Sequence, residues 1–454
     1  VVKITIDSLV DKSYVKRYVV TGAQYNAPVN KELYNNLIDY CELNDAELIV
    51  VPMKKSYEES YLADILHNHD IVTKDKKLNN KIKVIDDAIL PTRKLPLSGQ
   101  GRFTQSDVSA IYSSPKQHMN VVPTSNNKLP KVLMTTGAVT LPAYNMRHQA
   151  GRIAHKDHTY GAIIVEVVDK NLYHYRQLTA QKNGTFYDLG TRYETGKAPR
   201  HEDLEALVLG DWHTGDTCPK ARKAAFQMIQ QYDPKRIILH DFFNGSSINH
   251  HEEKDLVAQY KTHKKIGLSL EDELKRAAKE LKSLVKVANG KQIVLVKSNH
   301  DEFLDRYLKN TRFVKDPQNA MVASELLTEM LKGKDPLKAG IGRYYDIPKN
   351  VKFLTRDQDY KVRGWQLGNH GDLGANGSRG SVRSKEFANG KSISAHGHAP
   401  KIFRNVFLVG TNTKLKLNYN RGFSSWMNTN GIIHKNGKVQ LVNIINGKWT
   451  TFSS

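Results

Sequence analysis

The stretch EALVLGDWHTGD, residues 205–216, runs from an apolar segment (Ala206, Leu207, Val208, Leu209) through a glycine into Asp211, His213 and Asp216. The pairing of an apolar run with ligand-type side chains then recurs. Asp241 follows "IIL", Asn299, His300 and Asp301 follow "IVLVK", and His396 and His398 follow "SIS", with His370 in "LGNHGD" before that last pair. The set holds Asp, Asn and His but no Cys. Imidazole suits transition metals and carboxylate or amide oxygens suit harder divalent ions, so the mixture points to Mn, Fe or Zn rather than to an all-oxygen Mg or Ca site. Two His with two Asp on one ion, and two His, a shared Asp and an Asn on another, would place two ions about 3.5–4 Å apart. Such a pair activates water and clamps a phosphoryl group.

For these side chains to meet across residues 211–398, they must stand at the carboxyl ends of strands in an open α/β sheet, where ligands of such sheets bind. The chain beyond residue 201 has the required alternation. Pro219 opens a helix through "KARKAAFQMIQQY", "KRIILH" is a strand, "SLEDELKRAAKELKSLVKVANG" is a helix stopped by Gly290, and "QIVLVK" is the next strand. Strands alternating with helices predict a mostly parallel sheet covered by helices.

At 454 residues the chain exceeds one ordinary core, so two domains are expected. Residues 14–53 read as strand, helix, strand. Residues 74–130, with Pro91, Pro96, Pro115, Pro123 and Pro130, read as loop-rich, before "KVLMTTGAVTL" and "YGAIIVEVV" resume strand character. The polar, aperiodic "ETGKAPRHED", 194–203, sets the boundary there. The expectation is an α/β protein: an N-terminal α/β domain over residues 1–200, whose open roles are homo-oligomer assembly or shaping a substrate channel, and a catalytic domain over 201–454.

Lys+Arg number 68 against 46 Asp+Glu, a net charge of +22. The excess is uneven: 27 basic against 22 acidic residues in 1–204, and 41 against 24 in 205–454. The half carrying the ligand motifs therefore also carries the positive field, which suits a polyanion such as DNA. No apolar run is long enough to span a membrane, and no signal pattern is visible. Cys41 and Cys218, far apart in sequence, fit a reducing, cytoplasmic setting and rule out a thiolate zinc cluster.

The order Asp-x-His, Asp, Asn-His-Asp, His, His-x-His, over residues 205 to about 400, resembles the calcineurin-like metallophosphoesterases. That resemblance implies a sandwich of β-sheets flanked by helices. It also implies one ion on Asp211, His213, Asp241 and His398, another on Asp241, Asn299, His370 and His396, and His300 facing the leaving group. Three departures stand out: His240 precedes Asp241 where Gly is usual, Asn244 stands where phosphatases often carry a second Asp, and Ser298 precedes Asn299 where Gly is common. The Asp-x-Phe-x pattern with a non-acidic fourth residue looks more like the DNA-repair nucleases of the superfamily. The whole chain, with "RYVVTGAQYN" and "LMTTGAVTLPAY", is also similar to early-expressed DNA-degradation proteins of large T-five-like tailed phages, associated with breaking down host DNA in the infected cell.

These resemblances imply a DNase with two divalent ions, Mn first, with Fe, Zn or Mg as alternatives. A metallophosphatase acting on nucleotides or phosphoproteins would need the same metals but not the basic field. A DNA-binding scaffold with a vestigial site would be expected to have lost a ligand. Asp301 is expected to orient the His300 imidazole and keep it protonated. Asn244 and the Gly-rich "GDLGANGSRGSVRSK", 371–385, with Arg379, Arg383 and Lys385, are candidates for gripping substrate phosphates. "NHHEEKD", 249–255, reads as a solvated loop or helix start.

Overall fold

The computed structural model describes residues 15–53, 61–86, 89–105, 107–125, 128–250, 256–257, 260, 269–417 and 420–451. The reading of residues 251–255 lies outside them. The chain divides into two compact units, one of Val1–Thr124, Lys131–His201 and Lys448–Ser454, the other of Ser125–Pro130 and Glu202–Gly447.

In the first unit, strands Lys16–Gln24 and Ala46–Met53 pair in parallel around helix Lys31–Asn44. The helix begins where the Asn30 side chain accepts a hydrogen bond from the Leu33 N–H, and stops at Asp45 in the left-handed conformation. Its buried face is Leu33, Tyr34, Leu37, Tyr40 and Cys41, the i, i+3, i+4 spacing of an amphipathic helix. Strands Gly161–Val167 and Tyr173–Thr179 extend this sheet antiparallel on one side, and Asp70–Ile71 extends it in parallel on the other.

One sequence expectation fails in this unit. The loop-rich stretch 74–130 contains strands Lys76–Asn79, Ile82–Ile85, Ser109–Tyr112 and His118–Val122, which join Lys131–Thr135 in a second sheet. They are only four or five residues long, too short for periodicity to stand out among the prolines. The boundary stretch 194–203 includes a strand, Lys197–His201, paired antiparallel to Thr191–Glu194. All five residues of Lys197–His201 are exposed, so no apolar alternation marks it.

The second unit is built on a sheet ordered Val351–Phe353, Gln292–Val296, Arg236–His240, Ala206–Val208, Thr429–Ile433, Val439–Asn443. The first four strands run in parallel and the last two are antiparallel. Ala206–Leu209, Ile237–Leu239 and Ile293–Val296 are buried throughout, which is why they read as continuous apolar runs. Helix Leu270–Ala288, capped by Ser269, buries Leu270, Leu274, Ala277, Leu281 and Leu284. Each of those leucines contributes about 1.5–3 kcal/mol relative to exposure. A further set of paired strands, Trp365–Gln366, Ser392–Ser394, Val406–Leu408 and Lys401–Phe403, carries the later motifs. The α/β class expected from the sequence is what the structure shows. Among the described residues no helix is long and apolar enough to cross a membrane.

Candidate metal centre

Each motif sits just past the carboxyl end of a strand. Asp211 follows Ala206–Val208, Asp241 follows Arg236–His240, and Asn299 and His300 follow Gln292–Val296. From the other strand set, His370 follows Trp365–Gln366, and His396 and His398 follow Ser392–Ser394. Gly210 lets Asp211 enter: a Cβ there would stand 2.7 Å from the Gly410 carbonyl oxygen and 2.9 Å from the Thr411 Cα. Past their strands the first two loops stay paired, the Trp212 N–H donating to His240 O at 3.0 Å and the His213 N–H to Asp241 O at 2.7 Å.

His213, Asp241, His396 and His398 have φ of 44°, 45°, 74° and 52°, left-handed values that are uncommon for residues with a Cβ. Strain of this kind costs of order 1–3 kcal/mol per residue and persists only where surrounding structure imposes it. Part of that structure is polar. Asn412 Nδ2 donates to Gly210 O at 3.1 Å and to Asn430 Oδ1 at 2.9 Å, the Gly210 N–H donates to Asn430 Oδ1 at 3.0 Å, and Thr411 Oγ1 donates to Asp211 O at 3.0 Å.

The side chains converge closely. His398 Nε2 lies 3.0 Å from Asp211 Oδ2, His213 Nε2 lies 3.3 Å from Asp241 Oδ2, and His370 Nε2 lies 3.2 Å from Asp241 Oδ2. One ligand atom from each of Asp211, His213, Asp241 and His398 falls within 4.8 Å of all the others, and all four residues are buried. These are the four expected to share one ion.

Hydrogen bonding fixes the direction of the His213 lone pair. Asn244 Nδ2 donates to Asp216 Oδ2 at 2.9 Å and to Ser246 Oγ at 2.8 Å, so its Oδ1, 3.1 Å from His213 Nδ1, is the acceptor there. His213 therefore carries its proton on Nδ1 when neutral and turns the Nε2 lone pair into the cluster, where His398 Nε2 is 3.3 Å away. Asp241 Oδ1 and Asn299 Oδ1 are buried acceptors with no hydrogen-bond donor among the described residues. Buried acceptors are almost always satisfied, and a shared cation satisfies this set. The cluster can hold a metal ion.

Its electrostatics agree. Burial and the neighbouring Asp241 charge both push the Asp211 carboxyl upward, but His398 and His370 outweigh them and leave it below its ordinary value. Burial likewise opposes ionisation of Asp241, yet His370, His213 and His300 hold it well below the usual range. Burial lowers the His370 imidazole, and Asp241 and Asp211 overcome that to raise it to about 9. The two carboxylates demand positive charge, and the histidine ring supplies it when no other cation does.

Of the second expected ligand set, His370 touches the shared Asp241 and Asn299 contributes a buried acceptor. His396 is half-buried, its ring edge-on to His370 with centroids 5.2 Å apart and its backbone N–H 3.3 Å from Asp211 Oδ1.

Three expectations need correction. Asp301 does not hold His300: its carboxylate accepts from the Phe243 N–H at 3.1 Å and the Ser298 N–H at 3.0 Å, locking two motif loops together. His300 Nδ1 instead donates to the Asn244 carbonyl at 2.9 Å, and burial with the nearby His213 charge lowers the ring to about 4. Asn244 is thus a positioning residue for both His213 and His300 rather than a phosphate contact. Lys385 is buried, its Nζ 3.2 Å from Ser394 Oγ, and burial lowers it to about 8, whereas Arg379 and Arg383 are exposed.

Other residues went unread in the sequence. Arg356 joins the loops of the two strand sets, pairing with Asp372 beside His370, with Glu302 beside Asp301 at 3.1 Å, and with Lys297 O at 3.2 Å. Nothing near Arg356 in the sequence signals this. The Asn and Thr ties do have a signal, since "TNT" at 411–413 and "NTN" at 428–430 flank the site.

The second unit is thus an α/β structure whose strand ends gather a buried Asp and His cluster able to bind a metal ion. No protein-family model matches the chain, and no solved structure matches it. The chain is 29% identical to Protein A1 of Escherichia phage T5 over 472 aligned positions, covering 96% of this chain and 83% of that protein, and this relates it to that phage protein.

Proposed function

We propose that the protein is a metal-dependent deoxyribonuclease acting on DNA in a phage-infected cell. The observation that carries this reading is the convergence of Asp211, His213, Asp241 and His398 within 4.8 Å in a buried setting. The excess of 41 basic over 24 acidic residues in 205–454 and the relation to a phage protein support DNA as the polyanion.

Asp211, His213, Asp241 and His398 would hold one divalent ion, and Asp241, Asn299, His370 and His396 a second; this mixture of imidazole, carboxylate and amide donors suits Mn, Fe or Zn, and the resemblance to metallophosphoesterases puts Mn first. Such ions neutralise charge on phosphate oxygens and let water act as a nucleophile at neutral pH. The chain's own part is to fix these donors and to move a proton. Water oxygen bonds to phosphorus and releases a proton to solvent, the bond from phosphorus to the leaving sugar oxygen breaks, and protonated His300 delivers a proton from Nε2 to that oxygen while the Asn244 carbonyl holds its Nδ1, the ring regaining a proton from solvent afterwards.

The test is incubation of purified protein with plasmid and linear DNA, and with a phosphomonoester, in Mn, Mg or a chelator. Cleavage of DNA that requires the metal, with little monoester hydrolysis, is the expected result. Metal-dependent hydrolysis of the monoester alone would establish a phosphatase instead.

A further inference from the structure

Resting on the DNase reading, we propose that residues 414–417 and 420–426 form a stacking platform for an unpaired DNA base beside the metal centre, with Phe423 as the stacking side chain. Both ends of this segment are tied to loops that carry the cluster. The Lys414 N–H donates to Asp216 O at 3.0 Å, and the Met427 N–H donates to His398 O at 3.1 Å. The Trp426 ring meets the His398 ring edge-on, with centroids 4.1 Å apart. Within the segment, Asn420 Nδ2 donates to Leu415 O at 3.0 Å and the Trp426 N–H donates to Ser424 Oγ at 3.2 Å.

On this anchored backbone Phe423 is 80% exposed, and Lys414, Lys416 and Arg421 of the same stretch of chain are exposed. An aromatic ring held out among cations is the combination that binds single strands, the ring stacking on a base and the cations following the phosphates. Three residues of chain limit the Phe423 to Trp426 Cα separation to about 11 Å. A strand whose phosphate lies at the cluster therefore passes a neighbouring base within reach of Phe423. A base inside a duplex has both faces covered by its neighbours, so the platform selects single strands, flaps and frayed ends over blunt duplex.

The experiment measures binding of a short single-stranded oligodeoxynucleotide carrying one 2-aminopurine, in chelator so that nothing is cut, against the matching duplex. Wild type should bind the single strand more tightly than the duplex and quench the probe. Phe423→Ala should weaken single-strand binding by roughly 5- to 150-fold, the range of one base–aromatic stack, and abolish the quenching, and Phe423→Trp should restore both. Unchanged affinity and quenching in Phe423→Ala, or equal wild-type affinity for duplex without quenching, would overturn the proposal. Metal-dependent plasmid cleavage is read separately. Plasmid cleavage together with single-strand binding unchanged in Phe423→Ala removes only the platform, and stacking without cleavage removes only the nuclease.

Discussion

The two units each bury a cluster of charge, and they treat it oppositely. In the first, the Arg176 guanidinium sits between two carboxylates, with Nε 2.5 Å from Asp188 Oδ1, Nη2 2.7 Å from Asp188 Oδ2 and Nη1 2.8 Å from Glu166 Oε1. Tyr40 donates to Asp188 at 3.0 Å, and Thr450 and the Thr451 N–H each donate to Glu166 at 2.7 Å. Both acids are answered by the chain itself. In the second unit, Asp211 and Asp241 face only histidines, and Asp241 Oδ1 and Asn299 Oδ1 accept from no donor among the described residues. Buried carboxylates answered only by rings that can give up their protons, with acceptors left over, mark a place where a ligand can complete the balance.

The sharpest way to break this contrast is Asp241→Asn. Turnover on DNA should fall by more than about 10³, since this carboxylate serves both ions and its loss weakens each. Stability in chelator should fall only modestly: His370, His213 and His300 lose the carboxylate they face, but each of these rings can shed its proton. Retained activity would refute its shared role. The matching change in the first unit, Arg176→Met, should do the reverse and cost about 3–5 kcal/mol, because Glu166 and Asp188 are left buried without a cation. Urea unfolding together with hydrogen exchange over residues 161–179 checks it.

His300→Asn should lower turnover by roughly 10²- to 10⁴-fold with metal content unchanged, and by less on a substrate with a good leaving group. Equal losses on good and poor leaving groups would remove His300 from the proton-transfer role.

A smaller effect is the acid response of the first unit. Burial opposes ionisation of Glu166, but Arg176, Thr451 and Thr450 overcome it and push the carboxyl down to about 2 from an ordinary 4.5. A depressed carboxyl stabilises the fold fully above its unfolded value, so this contribution, about 3 kcal/mol, should fade as pH falls from about 4.5 toward 2. Exchange protection of strand Gly161–Val167, corrected for intrinsic rates, should decline across that window. A flat response would show that the pairing adds no stability.

What could be read in the sequence follows the same division. The ligand residues of the second unit were legible because Asp211, Asp241 and Asn299 follow buried apolar strands and the later histidines follow short buried ones, although these ends belong to two sheets and not to one. Their second neighbours were not. Asp301 and Asn244 have the residue types of catalytic groups, and only the geometry shows them bonded to Phe243, Ser298, His213 and His300 as positioning residues. Lys385 looked like part of a basic loop, yet it is buried against Ser394. In the first unit the Arg176 cluster joins residues 40, 166, 176, 188 and 450–451, a set with no shared motif or period. Exposed strands such as Lys197–His201 left no apolar pattern to detect.

The central claim is that the cluster in the second unit is completed by metal. Titration of chelator-stripped protein with Mn²⁺, followed by calorimetry and by metal analysis after desalting, tests it most directly. Two ions per chain are expected for wild type, with reduced occupancy in Asp241→Asn and unchanged stoichiometry in Arg176→Met that remains folded. Saturable binding of no ion by folded wild-type protein would contradict it.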